Sequence, residues 1–260
     1  MTASVIVHAD DFGLHPSIND GVERAHREGL VSSASLMPSG PAFSDALRRL
    51  SGLPGLDLGL HFALVGVPGA PSTLGAFLAS YVQGKISAGA LRAALRRQLD
   101  AVRGLPLSHL DSHQHLHALP SVMRVVCPLA AEYGIRAVRL PLDGSPRVRV
   151  APARRAQAAA LAACARLSRR YIAASGLHTS DQFSGMAVSG HLTPMVLAAY
   201  LQNVKPGLTE IVCHPGADNA ALGRSFDWGY DWQGELAALC SPQARAALEE
   251  SGASLVGWQG

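Results

Sequence analysis

Two hydrophobic periods alternate along the chain. Short apolar runs of the strand type lie at Val5–Ala9, Ala34–Met37, Leu58–Phe62, His109–Asp111, Ala137–Leu140, Glu210–Cys213 and Ser254–Val256, with a weaker one near His178. Between them, apolar residues recur at the three- and four-residue spacing of helices: Ile18–Glu28, Phe43–Leu50, Ala88–Val102, Pro120–Tyr133, Ala153–Ala174, Pro194–Gln202 and Pro242–Glu250. Start and stop signals frame several of these: Ser17 and Asn19 at the first, Gly29 after it, Gly134 after Tyr133, and Thr193-Pro194 opening another. Strands separated by helices pair in parallel, because a parallel pair needs a crossover. About eight of them close a distorted (β/α) barrel of the TIM type, with an open doubly wound sheet as the runner-up. The Gly/Pro-rich stretches Ala63–Thr73 and Pro215–Gly234 read as long loops, and residues 1–260 as a single domain.

Composition changes this picture little. Of the 260 residues 48% are hydrophobic, ample for a core, and 16% are charged, against roughly 25% in an average soluble domain. A net charge of +3 is too mild to argue for nucleic acid. Seven arginines lie between Arg147 and Arg170, which reads as a solvated helix face with extended stems. Cys127, Cys164, Cys213 and Cys240 are too scattered for a disulfide scaffold and suit a reducing compartment. The amino terminus lacks a basic leader, and no apolar run approaches the ~18 residues of a membrane span. A soluble, cytoplasmic protein is expected, with a homodimer as the default assembly.

Chemistry enters with the polar residues at strand ends. Asp10-Asp11, His61, Asp111 with His113, Arg139 and His214 each fall at or just after the end of a strand, the face on which parallel α/β folds build active sites. One carboxylate and two imidazoles make a three-ligand set for a divalent cation: Asp11, His61 and one of His113, His115 and His117. Spacing alone leaves that last choice open. Asp111 suits a partner to a ligating imidazole, as do His115 and His117 if they are not ligands. Adjacent acids on a strand point to opposite sides, so Asp10 is free to act as general base on water that the cation acidifies. His214 fits a general acid, or a core histidine bonded to a carbonyl. Arg139 fits a ligand for a substrate oxygen, a group supporting the site from behind or a helix cap. Phe226, Trp228, Tyr230 and Trp232 alternate in the last long loop, either to stack on a sugar or to plug the loop onto the core. No nucleophile elbow, P-loop or H-E-x-x-H motif is present.

His8-Ala9-Asp10-Asp11-Phe12-Gly13, Gly59-Leu60-His61-Phe62, Leu110-Asp111-Ser112-His113-Gln114-His115-Leu116-His117, Arg139-Leu140-Pro141 and Cys213-His214-Pro215-Gly216 occur in an order that resembles the YdjC-like carbohydrate deacetylases. The resemblance implies a distorted barrel and metal-dependent removal of an N-acetyl group from an amino sugar, an amino-sugar oligosaccharide or a glycolipid, releasing acetate. By the same analogy Asp11, His61 and His113 are the metal ligands, Asp10 the base and His214 the acid. The implied cofactor is one magnesium ion, although two imidazoles suit zinc at least as well. His8 departs from the pattern, which often has Asn there. A hydrolase of another bond, phosphoester or cyclic amide, and a silent sugar-binding protein are the alternatives.

Overall fold

The structure, a computed structural model, describes residues 2–67, 70–144 and 152–259, so Arg147 and Arg149 of the arginine cluster lie outside the described residues, as do two positions of the 63–73 loop. One parallel sheet organises the chain. Its strands are β1 (Ala3–Phe12), β2 (Ser33–Leu36), β3 (Asp57–Phe62), β4 (Leu107–Ser112), β5 (Ala137–Val138), β6 (Gln182–Ser184), β7 (Gly207–Cys213) and β8 (Ser254–Leu255), in the order β5-β4-β3-β2-β1-β7-β6. β8 pairs with the start of β1. The sheet curls until its edges meet. Single bridges join Ala137 to His178 and Asp143 to Phe183, and Val138 and Gly144 donate backbone hydrogen bonds to the carbonyls of His178 and Phe183. A distorted TIM-like barrel results, as the alternating pattern predicts.

The helices are α1 (Pro16–Glu28), α2 (Phe43–Arg49), α3 (Leu74–Val82), α4 (Ala88–Ala101), α5 (Pro120–Glu132), α6 (Pro152–Ala174), α7 (Pro194–Gln202), α8 (Asn219–Ser225), α9 (Trp232–Leu239) and α10 (Pro242–Ser251). Three of these differ from the sequence expectation. α8 and the start of α9 occupy the stretch read as a loop, each opened by an aspartate: Asp218 accepts from the Ala221 amide and Asp231 from the Gly234 amide, both at 2.9 Å. α3 follows the 63–73 loop directly, capped by Thr73. The cap of α1 is His15, whose Nδ1 accepts from Ser17 N; Ser17 and Asn19 turn inward to other work. No helix among the described residues is long and apolar enough to cross a membrane.

β1 lies centrally and is buried from Val5 to Phe12. Such two-sided burial requires a near-continuous apolar run. Here the run is broken by His8, Asp10 and Asp11, which are polar and buried. Buried charge in the middle of a sheet costs stability unless it is paired, so these positions mark the site.

Candidate active site

β1 ends in an irregularity. Its register against β2 shifts between Ala9 and Phe12, and Asp11 sits in the left-handed region at φ 65°. A bulge of this kind re-aims side chains. Asp10 and Asp11 therefore both reach the cleft floor, where regular alternation would have sent them to opposite sides. Asn19 holds the turn that follows: its Oδ1 accepts from Gly13 N at 2.8 Å, and its Nδ2 donates to Ala42 O and Asp45.

Asp11, His61 and His113 converge, with donor atoms all within 4.8 Å of one another. His113 Nδ1 lies 2.8 Å and His61 Nε2 3.1 Å from the same Asp11 oxygen. His61 Nδ1 is held by Asp111 at 2.8 Å, which leaves Nε2 as the free end of a carboxylate–imidazole pair. That Nε2 is buried with no hydrogen-bond partner. An orphaned imidazole nitrogen beside a carboxylate and a second imidazole is what a cation would satisfy, so the residues fit a divalent metal. Burial alone would lower the His61 pKa, and the charges of Asp111 and Asp10 raise it to about 10. Burial raises the Asp11 carboxyl, but contact with His113 and His61 outweighs this and holds it well below the usual range. Two other groups, His8–His109–Asp111 and Asp10–His61–Asp111, also bring donors together. Both include carboxylates already engaged by a guanidinium.

That guanidinium is Arg139, fully buried at the barrel centre. It binds Asp10 with two nitrogens at 2.8 and 2.9 Å, Asp111 at 2.8 Å and Glu210 at 2.7 Å. The fork geometry suits two carboxylate oxygens at once. Burial raises the pKa of Asp10, yet the Arg139 charge brings it below the usual carboxylate value. Asp10 is thus anionic and fixed in direction. Glu210 goes the other way, raised by burial despite Arg139.

His214 follows β7. Its Nε2 is 3.9 Å from Asp10 and its Nδ1 3.9 Å from the buried carboxylate of Glu235, which also accepts the His214 amide. Two glycines make this approach close. A Cβ on Gly21 of α1 would come within 2.6 Å of the Gly216 backbone, so helix and loop touch directly. Ser17 seals the contact, its carbonyl accepting from Ala217 N and its hydroxyl from Asp218 N.

The residues singled out from sequence fall into two places. Asp10, Asp11, His61, His113, His115, His214 and Trp228 line one cleft of about 440 Å³. Asp111, His117, Arg139 and Trp232 lie beneath it, away from the opening. His117 is bonded by Ser112 Oγ and the Arg139 carbonyl, and Trp232 is packed in the core. Arg139 does not line the cleft; of the sequence readings it fits the supporting one, a group behind the site that holds the carboxylates of Asp10, Asp111 and Glu210. The alternating aromatics also divide: Trp228 and Tyr230 face the cleft, their rings 5.4 Å from His113 and His214, while Trp232 plugs. Ser35 was not signalled by any motif, yet its hydroxyl meets His8, His61 and Asp111 at 3.0 to 3.1 Å. Glu210 and Glu235 behind the site, and the α6 residues Arg154 and Gln157 at the cleft wall, carry no sequence signal either. A second cavity, about 410 Å³, lies on the far side of α3 and lacks these acid and base groups.

The family model described as YdjC-like protein matches residues 4–250. A carbohydrate deacetylase of Homo sapiens is 31% identical over 96% of this chain and 88% of its own length. One from Geobacillus stearothermophilus is 31% identical over 96% and 95%. A chitooligosaccharide deacetylase of Enterobacter sp. (strain 638) is 30% identical over 97% and 96%. A crystal structure from Enterococcus faecalis V583 superposes with a TM-score of 0.79 at 21% identity, covering 100% of this chain and 98% of that one, and shows the same fold. With the model match running almost end to end and the strand-end acids and imidazoles gathered in one cleft, the chain belongs to the YdjC-like family.

Proposed function

We propose that the protein is a metal-dependent carbohydrate deacetylase that hydrolyses the N-acetyl group of an amino sugar, whether free, in an oligosaccharide or in a glycolipid. The observation that carries this reading is the pairing of Asp10 and His214, 3.9 Å apart, in the same cleft as the Asp11–His61–His113 trio. The names of the relatives supply the reaction class and the carbohydrate.

Asp11, His61 and His113 would hold the divalent cation, which when bound supplies Lewis acidity toward the acetyl carbonyl and lowers the pKa of water. Magnesium is the family expectation; the two imidazoles favour zinc or another borderline ion. The chain's own groups do the rest. Asp10, anionic and aimed by Arg139, takes the proton of the attacking water. The water oxygen adds to the carbonyl carbon, the C–N bond breaks, and the nitrogen takes a proton from His214. Acetate and the free amine leave. Glu235 orients His214 from behind, and Trp228 and Tyr230 offer flat faces to a sugar ring.

The test is acetate release from N-acetylglucosamine, its short oligomers and acetylated glycolipids, using chelator-treated protein resupplied with magnesium, zinc or nothing. Metal-restored acetate is the expected outcome. Folded, metal-loaded protein that releases none from any of these would sink the reaction while leaving the site.

A further inference from the structure

The net charge of +3 conceals a strong division. No Asp or Glu occurs between Leu58 and Leu99, or between Gly144 and Ser180. These two stretches carry eleven of the 22 cationic residues and none of the 19 acidic ones. They also build α3, α6 and all of α4 except its last two residues, where Asp100 stands. α3 and α6 wall the same cleft, through Leu74 and Leu78 on one and Leu161 and Cys164 on the other.

The surface of these elements is unusual in a second respect. α3 has no charged residue and buries only Phe77, leaving Leu78 38% and Val82 83% exposed. On α6, Leu167 is 63% exposed. Lys85 just past the end of α3, Arg97 on α4 and Arg155, Arg166 and Arg169 on α6 are exposed, with no acidic partner among the described residues. Arg92 and Arg96 are spent on Glu132 of α5. The other rim is acid-rich, with Asp218, Asp227 and Asp231 around α8 against the single cation Arg224.

We propose that the α3–α6 side of the cleft mouth is a docking surface for an anionic lipid bilayer. Protruding apolar side chains and long cationic ones match the hydrocarbon boundary and the headgroup layer respectively. Each cation near such a surface is attracted within a Debye length, and the acidic rim is repelled, which fixes the orientation. A second copy of the chain fits poorly, because a two-fold interface would set this acid-free surface against itself. A nucleic acid would use the cations but give Leu78, Val82 and Leu167 nothing to enter.

The experiment sediments the full chain with vesicles of phosphatidylcholine alone or with about 30% phosphatidylglycerol, at low and high salt. Binding is expected to the anionic vesicles only, falling at least about tenfold as salt is raised. The double variant Val82→Glu, Leu167→Glu should lower the low-salt partition by about tenfold or more, with an unmoved thermal midpoint, since neither side chain packs inside. Absence of binding to anionic vesicles at low salt overturns the proposal. So does equal binding by variant and native protein, which would reduce the effect to charge alone. Tighter binding to a homopolymeric RNA than to vesicles at equal phosphate, or a native dimer that the variant abolishes without any vesicle binding, would assign the surface elsewhere.

Discussion

Two sets of histidines share this barrel and live differently. Inside, His8 has a serine hydroxyl on each nitrogen, Ser33 and Ser35 at 3.1 Å, and His117 is bonded on both nitrogens. His109 bonds Ser108 and stacks on Trp258 at 5.2 Å; only its Nε2 is unmet, pressed over Gly59, where a Cβ would lie 2.2 Å away. At the mouth, His61, His115 and His214 each line the cleft and have a ring nitrogen without a partner, in His214 the Nδ1 on the Glu235 side. Residue type is the same and burial is similar. What separates a structural imidazole from a working one is whether the ring lines the cleft, since His109 keeps an unmet nitrogen in the core. His113 and His117 acquire opposite fates four residues apart because Gln114 and His115 turn the chain through left-handed conformations, φ 56° and 55°.

The sharpest way to break this contrast is to remove the charge on which both regions lean. Arg139→Met strips three carboxylates of their shared guanidinium and should cost about 3–5 kcal/mol in urea unfolding. A loss under about 1 kcal/mol would mean that Asp10, Asp111 and Glu210 find other partners. Next comes Asp10→Asn, expected to lower turnover by about 10²–10⁴-fold while metal content by elemental analysis stays native. Unchanged turnover would remove Asp10 from the proton transfer.

The contrast within the 113–117 turn is tested by paired variants. His113→Ala should weaken metal binding by about 100-fold or more, and His115→Ala should leave it within a few-fold. The reverse result would move the ligand role by two residues. The last contrast concerns pH. Burial, only partly offset by Asp111 and the Arg139 carbonyl, lowers the pKa of His117 to about 4. The unfolded chain, with an ordinary value near 6.5, then binds the extra proton first. Stability held by neutral His117 is complete above that value and is lost as pH falls toward about 4. In His117→Gln the loss across this window should shrink by about 3 kcal/mol, read by denaturant unfolding at each pH.

The barrel was legible because strand and helix periods alternate cleanly, and the site was legible because its acids and imidazoles stand at strand ends. What escaped depends on tertiary contact. Nothing local marks Ser35, a strand serine like its neighbour Ser33, as the meeting point of His8, His61 and Asp111. Arg139 stands near a strand end like a substrate ligand, and only the closed sheet shows it ringed by Asp10, Asp111 and Glu210. The bulge that turns Asp11 toward Asp10 has no glycine to announce it. The capping aspartates of α8 and α9 were different, since Asp218 and Asp231 were readable as helix starts inside a stretch whose Gly and Pro content suggested a loop.

The closure of the sheet has a mechanical consequence. β1 and β7 share seven registered pairs and β3 and β4 five, whereas among the described residues β5 and its continuation meet the β6 edge through two single bridges. The cylinder therefore carries one soft line, and it runs beside α6, a wall of the cleft. Deuterium should enter the amides of Val138, Gly144 and His178 well before those of β1 and β7. Along that seam the wall can breathe for the loss of two bridges, while the strands that carry Asp10, Asp11 and His61 stay registered.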